Sequence, residues 1–289
     1  MSGFDAGWLA LREPFDRAAR SADLAGRFAA ALGAVDRPRI VDLGCGTGAN
    51  LRVLAPLIAR DQHWELVDWD PALLNGALDV VAHWAEGIGG RVERLSSEAL
   101  VLLVSTGRWT VSVRRHDLSS DLEGYPFHQF DAVVTTAFLD LVSEPWIARF
   151  AEQLAAAPRP FLATLTVDGR REWAPLLDDD ALIQTAFMTH QGGDKGFGDS
   201  LGALAAAATV RALTNRGFRV EQRGSDWRID SRSGGAMLGY LLDEAARVAA
   251  EVRFDARADI LAWHQARQAQ IEQGRLSYTV GHQDLLALP

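Results

Sequence analysis

Cysteine is almost missing from this chain of 289 residues: Cys45 is the only one. A lone thiol closes no internal disulfide and builds no cysteine-based zinc site, so neither can organise the fold. A basic block is missing too. The 29 Lys and Arg residues are interleaved with 38 Asp and Glu, for a net charge of −9. That balance argues against broad electrostatic contact with nucleic acid or an anionic membrane surface. No stretch approaches the roughly 20 apolar residues of a membrane span. The opening "MSGFDAGWLALREPFDR" carries charge where a secretory leader needs an apolar run, so no leader is expected and a reducing cytoplasm fits. The seven His residues are scattered, and Asp178 to Asp180 read as a solvated turn and helix cap, so no metal site is expected. Internal repeats and low-complexity linkers are absent as well.

What remains is an ordinary globular composition, 48% hydrophobic and 23% charged, with nine Trp residues that suggest aromatic-lined cavities. Residues 5–33 have a helical apolar face of Trp8, Leu9, Phe15, Leu24, Phe28 and Leu32, stopped by Gly33. "RIVDLG" (39–44) is a buried strand before a glycine turn, residues 49–60 a helix and "HWELVD" (63–68) a second strand. Pro71 opens a helix, and three short β-prone runs follow over 91–116, the last two joined by a hairpin turn. Core strands are expected within 130–142 and 159–167, a helix over 199–218 and a broken strand over 219–229. Two amphipathic helices occupy 231–275, and 276–288 is a closing strand. Strands alternating with helices predict a doubly wound, mostly parallel α/β sheet of about seven strands with helices on both faces. The last strand follows a long helical excursion rather than a simple crossover, and is expected to run antiparallel. One domain is read over 1–289, with a helical cap at 1–38, a core at 39–230 and 276–289, and a helical insertion at 231–275.

"VDLGCGTGAN" (41–50) poses the functional question. Gly44, Gly46 and Gly48 let the backbone bend and approach a ligand with no Cβ in the way. Asp68 stands twenty residues beyond Gly48, at the end of the second strand, where an acid can take ribose hydroxyls. Gly44, Gly46 and Ala49 also satisfy the looser dinucleotide pattern, so a nicotinamide-dependent oxidoreductase is the competing reading. Asp42 inside the first strand, the additional Gly48 and Asp117 at the end of a later β-prone run tilt the choice away from it.

Taken in order, "VDLGCGTG", "LVDWDP", "RRHDL" and "FDAVVTTAFLDLV" resemble a class I S-adenosylmethionine-dependent methyltransferase over about residues 39–167. The resemblance implies S-adenosyl-L-methionine as cofactor. Asp42 would lie near its amino group, and Gly44, Gly46 and Gly48 would line the methionine and ribose. Asp68 would take the ribose hydroxyls, Trp69 would pack beside adenine, Asp117 with Leu118 would meet the adenine edge, and Thr135 or Thr136 would come near the methionine end. A third reading keeps the cofactor but places the chemistry on another subunit.

"TTAFLD" lacks the Asn/Asp-Pro-Pro-aromatic turn of methyltransferases that act on exocyclic amines, and with the acidic balance this favours a small-molecule acceptor. Residues 168–200, between the fifth core strand and the next helix, are expected to help form the substrate pocket, and within them "THQGGDKGFG" (189–198) reads as a mobile, ligand-contacting loop that sets His190, Asp194 and Lys195 among four glycines. His190 and Asp140 are the candidates for a base. Arg12, Lys195 and Trp227 are candidate substrate contacts, Lys195 as partner of a carboxylate or phosphate. His282 and Asp284 read as buried groups satisfied by their neighbours, and Cys45 as a small residue in a tight turn. Monomer and homodimer remain equally open.

Overall fold

The protein was analysed as a computed structural model that describes residues 5–191 and 193–289. Residues 1–4 of the expected cap and Gly192, one of the four loop glycines, lie outside the described residues.

A parallel sheet forms the centre. Strand β1 (Arg39–Leu43) is flanked by β2 (Gln62–Asp68) and, after the hairpin region, by β6 (Ala132–Thr136). Its Ile40, Val41 and Leu43 are all buried, the near-continuous apolar run of a strand covered on both faces. Strands β3 (Arg91–Arg94), β4 (Ala99–Val104) and β5 (Gly107–Arg115) form an antiparallel meander whose β5 pairs parallel with β2. On the other side come β7 (Phe161–Ala174), β8 (Arg219–Gly224), β9 (Trp227–Asp230) and β10 (Ser277–Leu288). The order is β3-β4-β5-β2-β1-β6-β7-β10-β8, with β9 paired to β10. The segment from β5 to β8 holds the expected seven strands; β3 and β4 are the first two of the β-prone runs over 91–116, and β9 is the second part of the broken strand expected over 219–229. As expected, β10 runs antiparallel, against β7 and β8.

Helices α2 (Ala22–Ala31), α3 (Ala49–Ile58) and α4 (Pro71–Gly87) cover one face, packing Leu24, Phe28, Leu54 and Leu78 against Trp64 and Trp109. Helices α5 (Glu144–Ala156) and α7 (Ala205–Thr214) cover the other through Trp146, Phe150 and Leu213. A third cluster gathers Trp8 of α1 (Ala6–Ala19), Ile183 of α6 (Asp180–Gln191), Leu241 of α8 (Gly235–Val252) and Trp263 of α9 (Arg257–Glu272) around Trp173, Trp227 and Tyr278. None of the described helices is long and apolar enough to cross a membrane.

Four local expectations change. The helical region 5–33 is two helices, because Arg20 is extended (ψ 141°) and Ser21 caps the next helix by accepting from Leu24 N–H at 3.3 Å. The helix expected from Asp199 begins as a short 3₁₀ turn at Gly202–Leu204 and becomes α-helical at Ala205. The expected loop at 189–198 begins as helix: β7 continues to Ala174 against β10, and α6 takes up 180–191, so Thr189 and His190 lie on its last turn. Asp180 is no solvated cap. Its oxygens take the fully buried Arg267 at 2.5 Å each and Trp263 Nε1 at 2.7 Å, tying α6 to α9.

Candidate functional site

The carboxyl ends of β1, β2, β5 and β6 open onto a cavity of about 260 Å³, the position where doubly wound sheets bind ligands. Its floor is the glycine turn. Gly44, Gly46 and Gly48 have φ of +62°, +53° and +79°, left-handed values that other residues adopt only under strain. Space enforces the same choice. A Cβ on Gly44 would stand 2.8 Å from the Phe138 ring, and one on Gly46 would stand 2.9 Å from Leu9. The turn is latched to its neighbours: Cys45 N–H donates to Val67 O at 3.0 Å, and Gly46 N–H to Asp68 Oδ2 at 2.9 Å. Asp68 also accepts from Asp70 N–H at 3.0 Å, and burial raises its pKa against those bonds.

Asp42 lies beneath the turn, fully buried on β1. Asn50 Nδ2 donates to its Oδ1 at 2.7 Å, while Oδ2 has no partner among the described residues. Burial is the main reason its carboxyl is pushed up to about 7. The polar chain continues: Arg20 donates to Asn50 Oδ1 at 2.5 Å and to Thr136 Oγ1 at 3.1 Å. Arg52 on α3 donates to Thr47 O, and to Glu13 of α1 at 2.8 and 2.7 Å. The helical cap is thereby fastened onto the glycine turn, with Leu9, Arg12 and Asp16 in the cavity wall.

Asp68, Trp69, His116 and Leu118 line one end of the cavity together with Asp70 and Leu73. Trp69 keeps half its surface exposed, with the Arg115 guanidinium 4.7 Å from its ring centre. Thr136, Ala137, Phe138, Leu141, Lys195 and Phe197 belong to the other. Ala137 has φ +47°, a strained value of the kind that clusters at ligand sites. Arg12 is buried, paired to Asp16 through two bonds of 2.9 and 3.1 Å, with the Trp227 ring 4.8 Å from its guanidinium.

Several expected residues sit elsewhere. Thr135 turns away and donates to Leu43 O at 2.7 Å, so Thr136, its neighbour on the other face of the strand, reaches the cavity. Asp117 is not in the cavity wall; it caps its own turn by accepting from Ser119 N–H, Ser119 Oγ and Ser120 Oγ, which lowers its pKa. Trp227 stands behind the wall and donates to Asp16 Oδ1 at 3.0 Å. His190, on the last turn of α6, faces Glu251 of α8 at 3.8 Å and does not line the cavity. Asp140 lies on the turn between the lining residues Phe138 and Leu141 but does not itself line the cavity. One of its oxygens is buried without a partner, and burial pushes its carboxyl up to about 6. His282 is buried with Nδ1 unpartnered and is pushed down to about 3, chiefly by burial and then by Arg12, so it stays neutral rather than satisfied. Asp284 does find partners, accepting from Ser21 and Leu165 N–H. Asn50, Arg20, Asp16, His116, Phe138 and Phe197 were not singled out in the sequence. The signals for two of them were there: an Asn on the apolar face of α3, and an Arg at a Ser-capped helix break.

No known family profile matches the chain, and no curated protein matches it. Among solved structures, a cyclopropane-fatty-acyl-phospholipid synthase-like protein from Lactobacillus casei is similar over 100% of this chain and 96% of its own, at 15% identity and a TM-score of 0.51. The chain is similar also to S-adenosylmethionine-dependent methyltransferases from Thiobacillus denitrificans (14% identity, 100% of each chain, TM-score 0.43) and Geobacter sulfurreducens (12% identity, 94% of this chain and 93% of that one, TM-score 0.42). The strand order and the first likeness define the class as a Rossmann-like α/β fold with an antiparallel strand inserted near one edge.

Proposed function

We propose that this chain is an S-adenosylmethionine-dependent methyltransferase of the cytoplasm that acts on a small molecule. One observation carries the reading. A left-handed glycine turn exposes its backbone to the cavity, with Asp68 at its rim and the unpartnered oxygen of Asp42 buried beneath it. These groups suit an adenosyl sulfonium with an amino-acid tail. The turn accepts close approach, Asp68 retains lone pairs for ribose hydroxyls, and Trp69 with Leu118 offers apolar surface for adenine. Asp42 stays beneath, its carboxyl at about 7, where a nearby ammonium would favour the ionised form. The dinucleotide alternative is disfavoured by topology, because those folds continue the parallel order whereas here β10 is inserted antiparallel between β7 and β8.

When bound, the cofactor would supply a methyl group on a positively charged sulfur, a donor already activated toward an acceptor's lone pair. The chain's share is positioning and the exclusion of water. Holding the reacting atoms in line supplies much of the rate. Thr136, Phe138, Leu141 and Phe197 form the acceptor end, closed by Arg12 with Asp16 and by Lys195.

We infer that the acceptor's proton passes to Asp140, on the turn that carries the lining residues Phe138 and Leu141. A carboxyl at about 6 is ionised at neutral pH yet basic enough to take a proton. Turnover is expected to rise from pH 5 to 7 as this carboxylate forms, then level off. Asp140→Asn should remove that rise and lower kcat about 100-fold or more. A pH–rate profile unchanged in the variant would assign the proton elsewhere. The function itself is tested by incubating the protein with methyl-labelled S-adenosylmethionine and a panel of small acceptors. One labelled product formed together with S-adenosylhomocysteine supports the reading. Tight cofactor binding with no product across the panel favours a non-catalytic cofactor-binding subunit.

A further inference from the structure

Lys195 is the only lysine in the chain, all other basic side chains among the 29 Lys and Arg being arginines. It lines the cavity at the acceptor end, beside Phe197. Its surroundings are fixed by the fold. Asp194 Oδ1 accepts from Gly196 and Gly198 N–H at 2.7 and 3.0 Å, and Ser200 Oγ donates to Leu141 O at 3.1 Å. Phe197 packs edge-on against Phe138 and Trp146, with ring centres 5.4 and 5.9 Å apart. The loop is thereby held against the end of β6, with its ammonium at the cavity wall.

The charges of the cavity are distributed unequally. Arg12 is neutralised by two bonds to Asp16. Asp68 and Asp70 lie at the ribose end. Lys195 donates only to His190 O, at 3.3 Å, and has no carboxylate partner among the described residues. Asp194, its neighbour in sequence, has turned its side chain to the glycine N–H groups. An ammonium half-buried beside aromatic rings, without a counter-charge, is a ready partner for an oxyanion. The acceptor end also offers apolar surface, from Phe138, Leu141 and Phe197, beside Thr136 and the Arg12–Asp16 pair.

We propose that the acceptor is a small organic acid, an apolar body seated against Phe138, Leu141 and Phe197 with its carboxylate on Lys195. This rests on the methyltransferase reading. Among the described residues, the wall's unpaired carboxylates, Asp68 and Asp70, stand at the ribose end, and Asp16 is bonded to Arg12, so Lys195 is the charge left to meet the acceptor.

The test uses the full chain and begins with a titration of S-adenosylhomocysteine into the wild type and into Lys195→Met. The saturated proteins are then titrated with 3-phenylpropanoate and with its uncharged amide. Wild type is expected to bind the acid at least ten-fold more tightly than the amide. Lys195→Met should lose that preference with S-adenosylhomocysteine affinity unchanged, and Lys195→Arg should retain it. Equal affinity for acid and amide, or binding of neither, overturns the inference and leaves the methyltransferase reading standing. A ten-fold loss of S-adenosylhomocysteine affinity in Lys195→Met also overturns it, by assigning the ammonium to the cofactor's own carboxylate. Failure of the wild type to bind S-adenosylhomocysteine removes the underlying reading itself.

Discussion

Gly44→Ala is expected to weaken S-adenosylhomocysteine binding about 100-fold, roughly 2.7 kcal/mol, while the protein still folds. Two effects combine. A left-handed φ of +62° strains any residue with a Cβ, by about 1–3 kcal/mol. The new Cβ would also sit 2.8 Å from the ring of Phe138, a neighbour in the cavity wall. Unliganded, the turn relieves both by moving. Binding must restore the strained form, so the apparent affinity falls with the fraction of protein that can adopt it. Calorimetry alongside a thermal melt checks this. Unchanged affinity would mean that the backbone of the turn does not approach the ligand.

Asp180→Ala is expected to lower stability by about 3–5 kcal/mol, the effect of leaving a buried charge without its partner. Arg267 is fully buried between the Trp173 and Trp263 rings, and Asp180 supplies its only carboxylate among the described residues. Its other bonds, to Pro175 O at 2.6 Å and Gln270 Oε1 at 2.7 Å, are to neutral groups. The Trp263 N–H loses an acceptor in the same substitution. Urea denaturation reads the loss directly. The double variant Asp180→Ala/Arg267→Met should recover a large part of it, since an apolar chain needs no counter-charge there. A single variant as stable as wild type would refute the role given to this pair.

The parts of the site that were legible in the sequence are those fixed by a few neighbouring residues. Gly44, Gly46 and Gly48 announce a turn that only glycine can make, and Asp68 ends the next strand at a set distance from it. Side-chain direction was harder. Whether Thr135 or Thr136 meets the cavity depends on which face of β6 packs on β1, and a shift of one residue exchanges them. Asp117 was placed by the β-prone run before it, but Ser119 and Ser120 offered nearer donors and turned it into its own cap. His190 and Trp227 were judged by the company of glycines and charges in sequence. The position of Trp227 is set instead by the pairing of β9 with β10, and that of His190 by α6 packing on α8, contacts between segments about fifty and about sixty residues apart. The buried Arg20–Asn50–Asp42 chain joins three separate elements for the same reason. Local motifs do not encode such meetings.

The central claim is that the glycine turn and Asp68 hold an adenosyl sulfonium. Calorimetric titration of the wild type and Asp68→Ala with S-adenosylmethionine, S-adenosylhomocysteine and NAD tests it most directly. Micromolar binding of the first two, at least ten-fold weaker in the variant, with no binding of NAD, is the predicted result. Binding of NAD alone would contradict the account.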